Sequence, residues 1–320
     1  MRCGREGDLI NAGRLAYRSV RPKTSSQTSQ RRSRMSRLVS LAEAVEEVVH
    51  DGDTVAMEGF THLIPSAAGH EVIRQRRKHL TLVRMTPDLI YDQLVGMGCA
   101  DKLIFSWTGN PGVGSLHRVR DAVENGWPQP LALEEHSHAA MANAYEAGAA
   151  GLPCAIFRGY VGVDLPKVNP NIRRVTCPFT GEQLAAVPAL RPDAAVIHAL
   201  KADRAGNVLL EGIVGIQKQV VLAAKRALVT VEEIVEDFGP RSPNTVILPG
   251  WTVHAIACVP GGAHPSYAHG YYKRDNAFYK AWDALSRERD TFLAWIKANV
   301  LEKGPEAFAV HARRIAEAAE

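Results

Sequence analysis

The chain has 320 residues, 46% of them hydrophobic and 22% charged, with five cysteines. A chain of that length buries a large core without disulfides or metals, and the composition is that of a globular protein. The net charge of +4 joins two opposed parts: residues 1–37 hold ten basic and two acidic side chains, and the rest holds 28 basic and 32 acidic. The body is mildly acidic, which excludes a broad electrostatic footprint for nucleic acid.

Residues 1–37 are rich in Arg and Ser and lack a long apolar run. They fit neither a secretory signal nor a membrane helix. Their composition suits an organellar transit peptide, or a start codon placed too early, with Met35 opening the body. The segment reads as a basic, disordered extension, and 38–320 reads as one domain. The expected compartment is the cytoplasm, or an organellar matrix if the segment is a transit peptide. The cysteines at 3, 99, 154, 177 and 258 form no CxxC pair. That spacing argues against a zinc site and a disulfide framework, and for small buried side chains in a reducing compartment.

From residue 38, β-rich and helical runs alternate. Ser40 is a predicted N-cap, with Glu43 as its capping-box partner, opening a helix to about residue 50. A strand is predicted at 54–57, then a helix from about 65 to 77. Further strands at 80–85, 102–107 and 131–133 alternate with helices after Pro87, up to residue 125, and over 137–150. Segments 174–177 and 183–187 flank Pro178-Phe179-Thr180-Gly181 and read as a hairpin. Strands follow at 194–200, 208–210, 227–231, 246–248 and 253–259, with a helix at 215–225 among them and a helical C-terminus from Asn276. This alternation predicts an α/β fold, with a mostly parallel or mixed sheet covered by helices on both faces.

Several chemistries are excluded. No GxGxxG follows a strand, and no GxSxG elbow occurs. The loop Gly109-Asn-Pro-Gly-Val-Gly114-Ser115 has the outer spacing of a phosphate loop but lacks its lysine. Glu134-Glu135-His136-Ser137-His138 offers metal-capable side chains without the HExxH spacing, so no metal site is assigned.

The most informative segment is Asp51-Gly-Asp-Thr-Val-Ala-Met-Glu-Gly-Phe-Thr-His-Leu-Ile-Pro65. A turn feeds an apolar strand that ends in glycine and an aromatic, and a helix begins near the proline. Glycine there lets backbone N–H groups approach a ligand, and the helix N-terminus beyond favours anionic groups. The carboxyl edge of a parallel sheet is where open α/β folds bind ligands. By that positional rule Gly59, Phe60 and Thr61 are candidate ligand contacts. So are His62, Thr86, Asn110, Gly112, Gly114, Ser115 and Ser137, with Met85, Glu135 and His138 beside them.

In this segment the chain resembles the family I CoA-transferases, the glutaconate-type alpha subunits in particular. The family signature is Asp-Gly, two residues, three apolar residues, Gly-Gly-Phe and a proline. Here Glu58 replaces the first of the paired glycines. Further likeness runs in order through Gly151-Leu-Pro153, 169–187, Arg191-Pro-Asp-Ala-Ala-Val-Ile-His-Ala199, Thr230-Val-Glu-Glu-Ile234 and Pro260-Gly-Gly-Ala-His-Pro-Ser266, over about 38–300.

The resemblance implies a CoA-transferase fold and transfer of CoA from an acyl-CoA such as succinyl-CoA to a carboxylic acid, 3-oxoadipate or glutaconate. Transfer passes through a glutamyl-CoA intermediate. CoA enters as substrate, with no tightly bound cofactor. On this reading Gly59, Phe60 and Thr61 would meet CoA, and the other edge residues would line the acyl pocket. The resemblance also implies a separate beta subunit that carries the nucleophilic glutamate, in an α2β2 or larger assembly, with no nucleic-acid or membrane partner. This chain's lookalike of the nucleophile segment, Val123-Glu124-Asn125-Gly126, lacks the preceding serine and reads as a helix end capped at Gly126. No catalytic residue is therefore assigned to this chain, with Glu58, Glu135 and His138 as the weaker alternatives. A surface or interface salt bridge is the plainer expectation for Glu58. A dicarboxylate acceptor calls for a cation. The candidates are Arg84, expected inside a strand and paired, and Arg118 and Arg120, expected on a solvated helix face. His264 is expected to be structural. Two other roles fit the same fold: a ring-opening hydrolase acting on CoA thioesters, and a non-catalytic scaffold.

Overall fold

The computed structural model describes residues 37–317 except Gly112, with side chains through His311. The expected extension 1–37 lies outside the described residues but for Arg37. That residue opens a short strand, β1 (Arg37–Leu38), so the fold begins one position earlier than the sequence suggested.

Helix α1 (Leu41–Val48) carries the expected cap: Ser40 Oγ accepts from the Glu43 amide (3.2 Å), and the Glu43 carboxylate accepts from the Ser40 amide (2.9 Å). There follow β2 (Thr54–Glu58), α2 (Ser66–Arg74), β3 (Leu80–Val83), α3 (Leu89–Gly96), β4 (Ala100–Phe105), α4 (His117–Glu124), β5 (Ala132–Glu135) and α5 (His138–Ala149). Next come β6 (Cys154–Phe157), α6 (Leu165–Val168), β7 (Arg173–Thr176) and β8 (Gln183–Pro188). The last part holds β9 (Ala194–Asp203), β10 (Val208–Leu210), α7 (Gln217–Ala223), β11 (Arg226–Val235), β12 (Val246–Leu248), β13 (Ala255–Cys258), α8 (Asn276–Arg287), α9 (Arg289–Ile296) and α10 (Glu306–Glu317). The predicted strands at 102–107 and 131–133 are shifted: one runs 100–105, and the other 132–135.

The main sheet runs β1-β13-β11-β9-β2-β3-β4-β5, every neighbour parallel, with β10 and β12 added antiparallel beside β9. The predicted hairpin exists as β7 and β8, but it forms a separate antiparallel sheet with β6. The period-2 alternation of a strand divides β2 between two cores. Val55 and Met57 pack with α1, α2, α3 and the C-terminal helices, whereas Ala56 packs with Met141 and Tyr145 of α5 and Val220 of α7. Helices thus cover both faces.

Strand order positions the site. From β2 the chain walks outward through β3, β4 and β5, and from β9 it walks the other way through β11 and β13. The reversal lies between β2 and β9, where Glu58 sits in register with Ile197. A crevice opens at the carboxyl ends of strands at such a reversal.

Candidate active site at the carboxyl edge of the sheet

Loop 59–65 leaves β2 at this reversal. A Cβ on Gly59 would lie 2.6 Å from the Leu63 carbonyl oxygen and 2.8 Å from that of His62. The loop therefore coils back on itself as no other residue permits. Thr61 (φ 56°) and Leu63 (φ 52°) adopt the left-handed region, a cost that surrounding contacts must offset. Those contacts come from residues 266–269. The Leu63 amide donates to Tyr267 O (3.0 Å) and the Ile64 amide to Ser266 Oγ (3.1 Å).

His62 is buried, with its ring 4.4 Å from that of Tyr267. Its Nε2 accepts from the His269 amide (3.0 Å), which places the proton on Nδ1, 3.3 Å from Ile213 O. Burial holds this imidazole down to about 4, so it is neutral near pH 7 and pins the loop. Phe60 (42% exposed) and Thr61 are left at the surface.

Beneath the loop, Arg84 is buried. Its Nη2 donates to Gly59 O (2.6 Å), its Nη1 to Asp88 Oδ1 (2.8 Å), and its guanidinium lies 5.6 Å from the centre of the Tyr91 ring. The expected buried partnership of Arg84 is present, and it clamps the loop's first carbonyl. Glu58 departs from expectation. It is 3% exposed, so it forms no surface or interface salt bridge. Its Oε1 accepts from the Met85 amide (3.1 Å) and the Tyr145 hydroxyl (3.4 Å). Burial pushes its carboxyl up to about 7, against the attraction of Arg84.

The Met85 peptide links the next strands. Its carbonyl accepts from the Ser106 and Trp107 amides (3.2 Å each) and from Ser106 Oγ (2.7 Å). Because the Ser106 hydroxyl proton goes to Met85 O, His138 Nδ1 donates to Ser106 Oγ across 2.7 Å, and Nε2 is the ring's acceptor nitrogen. His138 is exposed and opens α5, whose N-cap is Ser137: the Ser137 Oγ accepts from the Ala140 amide, and its own amide donates to the Tyr160 hydroxyl. A hydrogen-bonded line thus crosses the carboxyl ends of β2, β3 and β4 to the start of α5, from Glu58 through Met85 and Ser106 to His138.

The other predicted residues lie as follows. Thr86 is half-buried just beyond Met85, and Glu135 is exposed at the end of β5, its carbonyl accepting from Asn169 Nδ2. Asn110 is buried, and its side-chain amide donates to Tyr279 O (2.7 Å), which ties the loop after β4 to α8. Gly114 faces Asp283, 2.9 Å from where a Cβ would stand, and Ser115 is half-buried beside it. The 110–115 loop is thus braced against the C-terminal helices. Gly112 lies outside the described residues.

Arg120 is exposed and pairs with Glu124, so the Glu-Asn-Gly lookalike is a helix end, with Gly126 in the left-handed conformation (φ 67°). Arg118 was expected to be solvated and is instead buried. It holds Asp121 and Arg287 O and lies over the rings of Trp127 and Phe292. His264 pairs with Asp275 across 3.0 Å. Glu134 and His136 bind each other (2.9 Å), and Lys102 holds the second Glu134 oxygen.

Ser106 and Tyr145 were missed from sequence. Ser106 follows an apolar strand, the position that pointed to Thr86. Tyr145 lies seven residues after His138, on the same helix face, a spacing that links the two. A second buried network supports the 260–272 loop. His198 Nε2 and the Tyr272 hydroxyl both meet Glu232 Oε1, and Glu232 Oε2 accepts from the Gly261 amide. Burial opposes ionisation of Glu232, but these hydrogen bonds hold it below the usual carboxylate range.

Residues 38–258 match the coenzyme A transferase family. The chain is 64% identical over 283 residues, 88% of its length, to the alpha subunit of 3-oxoadipate CoA-transferase from Pseudomonas knackmussii, covering 99% of that protein. It is 32% identical over 287 residues to the alpha subunit of glutaconate CoA-transferase from Acidaminococcus fermentans, covering 84% of this chain and 89% of that one. The crystal structure of the glutaconate CoA-transferase from that organism superimposes with a TM-score of 0.80 at 30% identity, over 88% of this chain and 95% of the other. With family signature, sheet order and full-length similarity in agreement, the chain belongs to the coenzyme A transferase family.

Proposed function

We propose that this chain is the alpha subunit of a heteromeric 3-oxoadipate CoA-transferase, with residues 38–320 as one domain. It would work in the cytoplasm with a separately encoded beta subunit, in an α2β2 or larger assembly. The 64% identity across 99% of the Pseudomonas protein is the observation that carries this reading. Glutaconate as acceptor is supported by half that identity.

In the proposed reaction the nucleophilic glutamate belongs to the beta chain. It attacks the thioester carbonyl of an acyl-CoA such as succinyl-CoA and expels CoA thiolate. The thiolate attacks the resulting anhydride to leave glutamyl-CoA and free acid. The acceptor acid then repeats the sequence in reverse. Dividing one exchange into acyl transfers lowers each barrier, provided that donors meet each oxyanion. CoA is a substrate throughout, with no tightly bound cofactor.

Two features of this chain favour placing the nucleophile elsewhere. Glu58 is sealed beneath Met85 and Tyr145, and Glu124 is tied to Arg120 on an exposed helix end. The chain's part is to wall the acyl pocket with 59–62, Thr86, Ser106, Ser137 and His138. His138 Nε2 can accept a hydrogen bond from the acceptor's protonated or hydrated end.

The test is CoA exchange between succinyl-CoA and 3-oxoadipate with the alpha chain by itself, the beta chain by itself, and both mixed. Activity is expected only from the mixture, with 3-oxoadipate preferred over glutaconate. Transfer by the lone alpha chain would overturn the division of labour, and a preference for glutaconate would overturn the substrate.

A further inference from the structure

A cavity of about 300 Å³ lies between α2, α3, α8, α9 and α10, on the face of the sheet away from α5 and α7. That volume is at the small end for ligand sites. Leu89, Ile90, Phe278, Trp295 and Phe308 form apolar walls, and His70, Gln93 and His264 interrupt them. Its aromatic side chains already pack edge-on or tilted: the His70 ring is 5.2 Å from that of Phe308 and 6.3 Å from that of Trp295.

The polar chemistry is one-sided. His70 is 7% exposed. Its ring meets Gln93 Oε1 across 2.7 Å, an oxygen that can only accept, so Nε2 carries the proton. Nδ1 is then a bare acceptor, and it is buried without a hydrogen-bond partner. Burial also keeps this imidazole neutral, down to about 3. A buried acceptor of this kind is costly unless a donor reaches it.

The cavity also touches the supports of the candidate active site. Ser66, which opens α2, and His264 both line it. The neighbouring Ala67 amide donates to Gly262 O, and Ser266, two residues after His264, accepts from the Ile64 amide. The far ends of those bonds hold loop 59–65.

We propose that this cavity is a binding site for a small uncharged aromatic molecule bearing one O–H or N–H donor, which His70 Nδ1 accepts. Its occupancy tightens the 262–267 segment and thereby loop 59–65. The site is separate from the carboxyl-edge crevice, and its test uses no activity assay, so it stands or falls apart from the transferase reading.

The probes are phenol, and anisole in which a methyl replaces the donor hydrogen. They are titrated into the full chain by calorimetry and by tryptophan fluorescence, since Trp295 lines the cavity. Saturable binding of one phenol per chain is expected, with anisole weaker by about tenfold, the value of one hydrogen bond to a buried acceptor. In His70→Leu the preference should disappear or reverse. Equal affinity of the two probes for the parent chain, or a response that never saturates, overturns the proposal, and this comparison needs no variant to fold. Amide hydrogen exchange at Leu63, Ile64 and Ala67 should slow at saturating phenol. Unchanged exchange there overturns the link to the loop.

Discussion

Replacing Glu58 by Gln isolates the energetics of the acid buried beneath the candidate site. Burial raises the Glu58 carboxyl from 4.5 to about 7, with Arg84 as the chief opposing influence. A rise of that size corresponds to about 3 kcal/mol between the protonation states. Between pH 4.5 and 7 the folded chain keeps a proton on Glu58 that the unfolded chain has released. The protonated acid's contribution is thus fully present below 4.5 and is lost as pH climbs through about 7. A glutamine in its place cannot ionise, and its amide oxygen still accepts from Met85 and Tyr145. Glu58→Gln should therefore match the parent near pH 5 and exceed it by about 3 kcal/mol near pH 8.5. Urea unfolding of both proteins at the two pH values measures this. Taking the difference between variant and parent at each pH cancels groups common to both, such as buried Asp92, which burial raises to about 6. A stability difference that is the same at both pH values refutes the buried-acid account. A variant that is less stable at high pH shows that Arg84 outweighs burial.

Three further outcomes follow from the same geometry. Gly59→Ala forces a methyl within 2.6 Å of Leu63 O; it should cost about 1–3 kcal/mol in thermal unfolding and abolish transfer by the assembled enzyme, and a fully active variant would contradict the coiled loop. Arg84→Met strands the Asp88 carboxylate, which is 2% exposed; a loss of about 3–5 kcal/mol is expected in denaturant titration, partly recovered by adding Asp88→Leu. Ser106→Ala removes the link between Met85 and His138; stability should change by about 1 kcal/mol or less, while kcat/KM falls, and unchanged kinetics would remove His138 from the site.

Much of the frame is local and could be read from residue order. The Ser40 and Glu43 cap needs only a three-residue spacing. Glycine followed by an aromatic after an apolar strand marks the loop at 59 because its backbone leaves no room for a Cβ. Ordered blocks from Asp51 to Ser266 point to the family, since they preserve chemistry at many separated points. Other features depend on distant partners. Arg118 lies on a polar helix segment, and its neighbours in sequence predict solvent. Arg287 O, Trp127 and Phe292 cover it only after α8 and α9 fold back over α4.

Glu58 draws the same line at the site itself. The residue is a visible departure from the paired glycines of the family signature, and sequence alone determined that it ends a strand at the ligand edge. Whether that carboxyl faces solvent or core was decided by β3 and α5: Met85 comes from a strand paired in parallel 27 residues on, and Tyr145 from a helix 87 residues on. Parallel pairing has no local turn to announce it, so no short window of residues contains this information. The sequence by itself determined the elements, the family and the loop. Only the tertiary structure decided which charged groups are buried, which partners they keep, and that a separate aromatic cavity lies behind the loop.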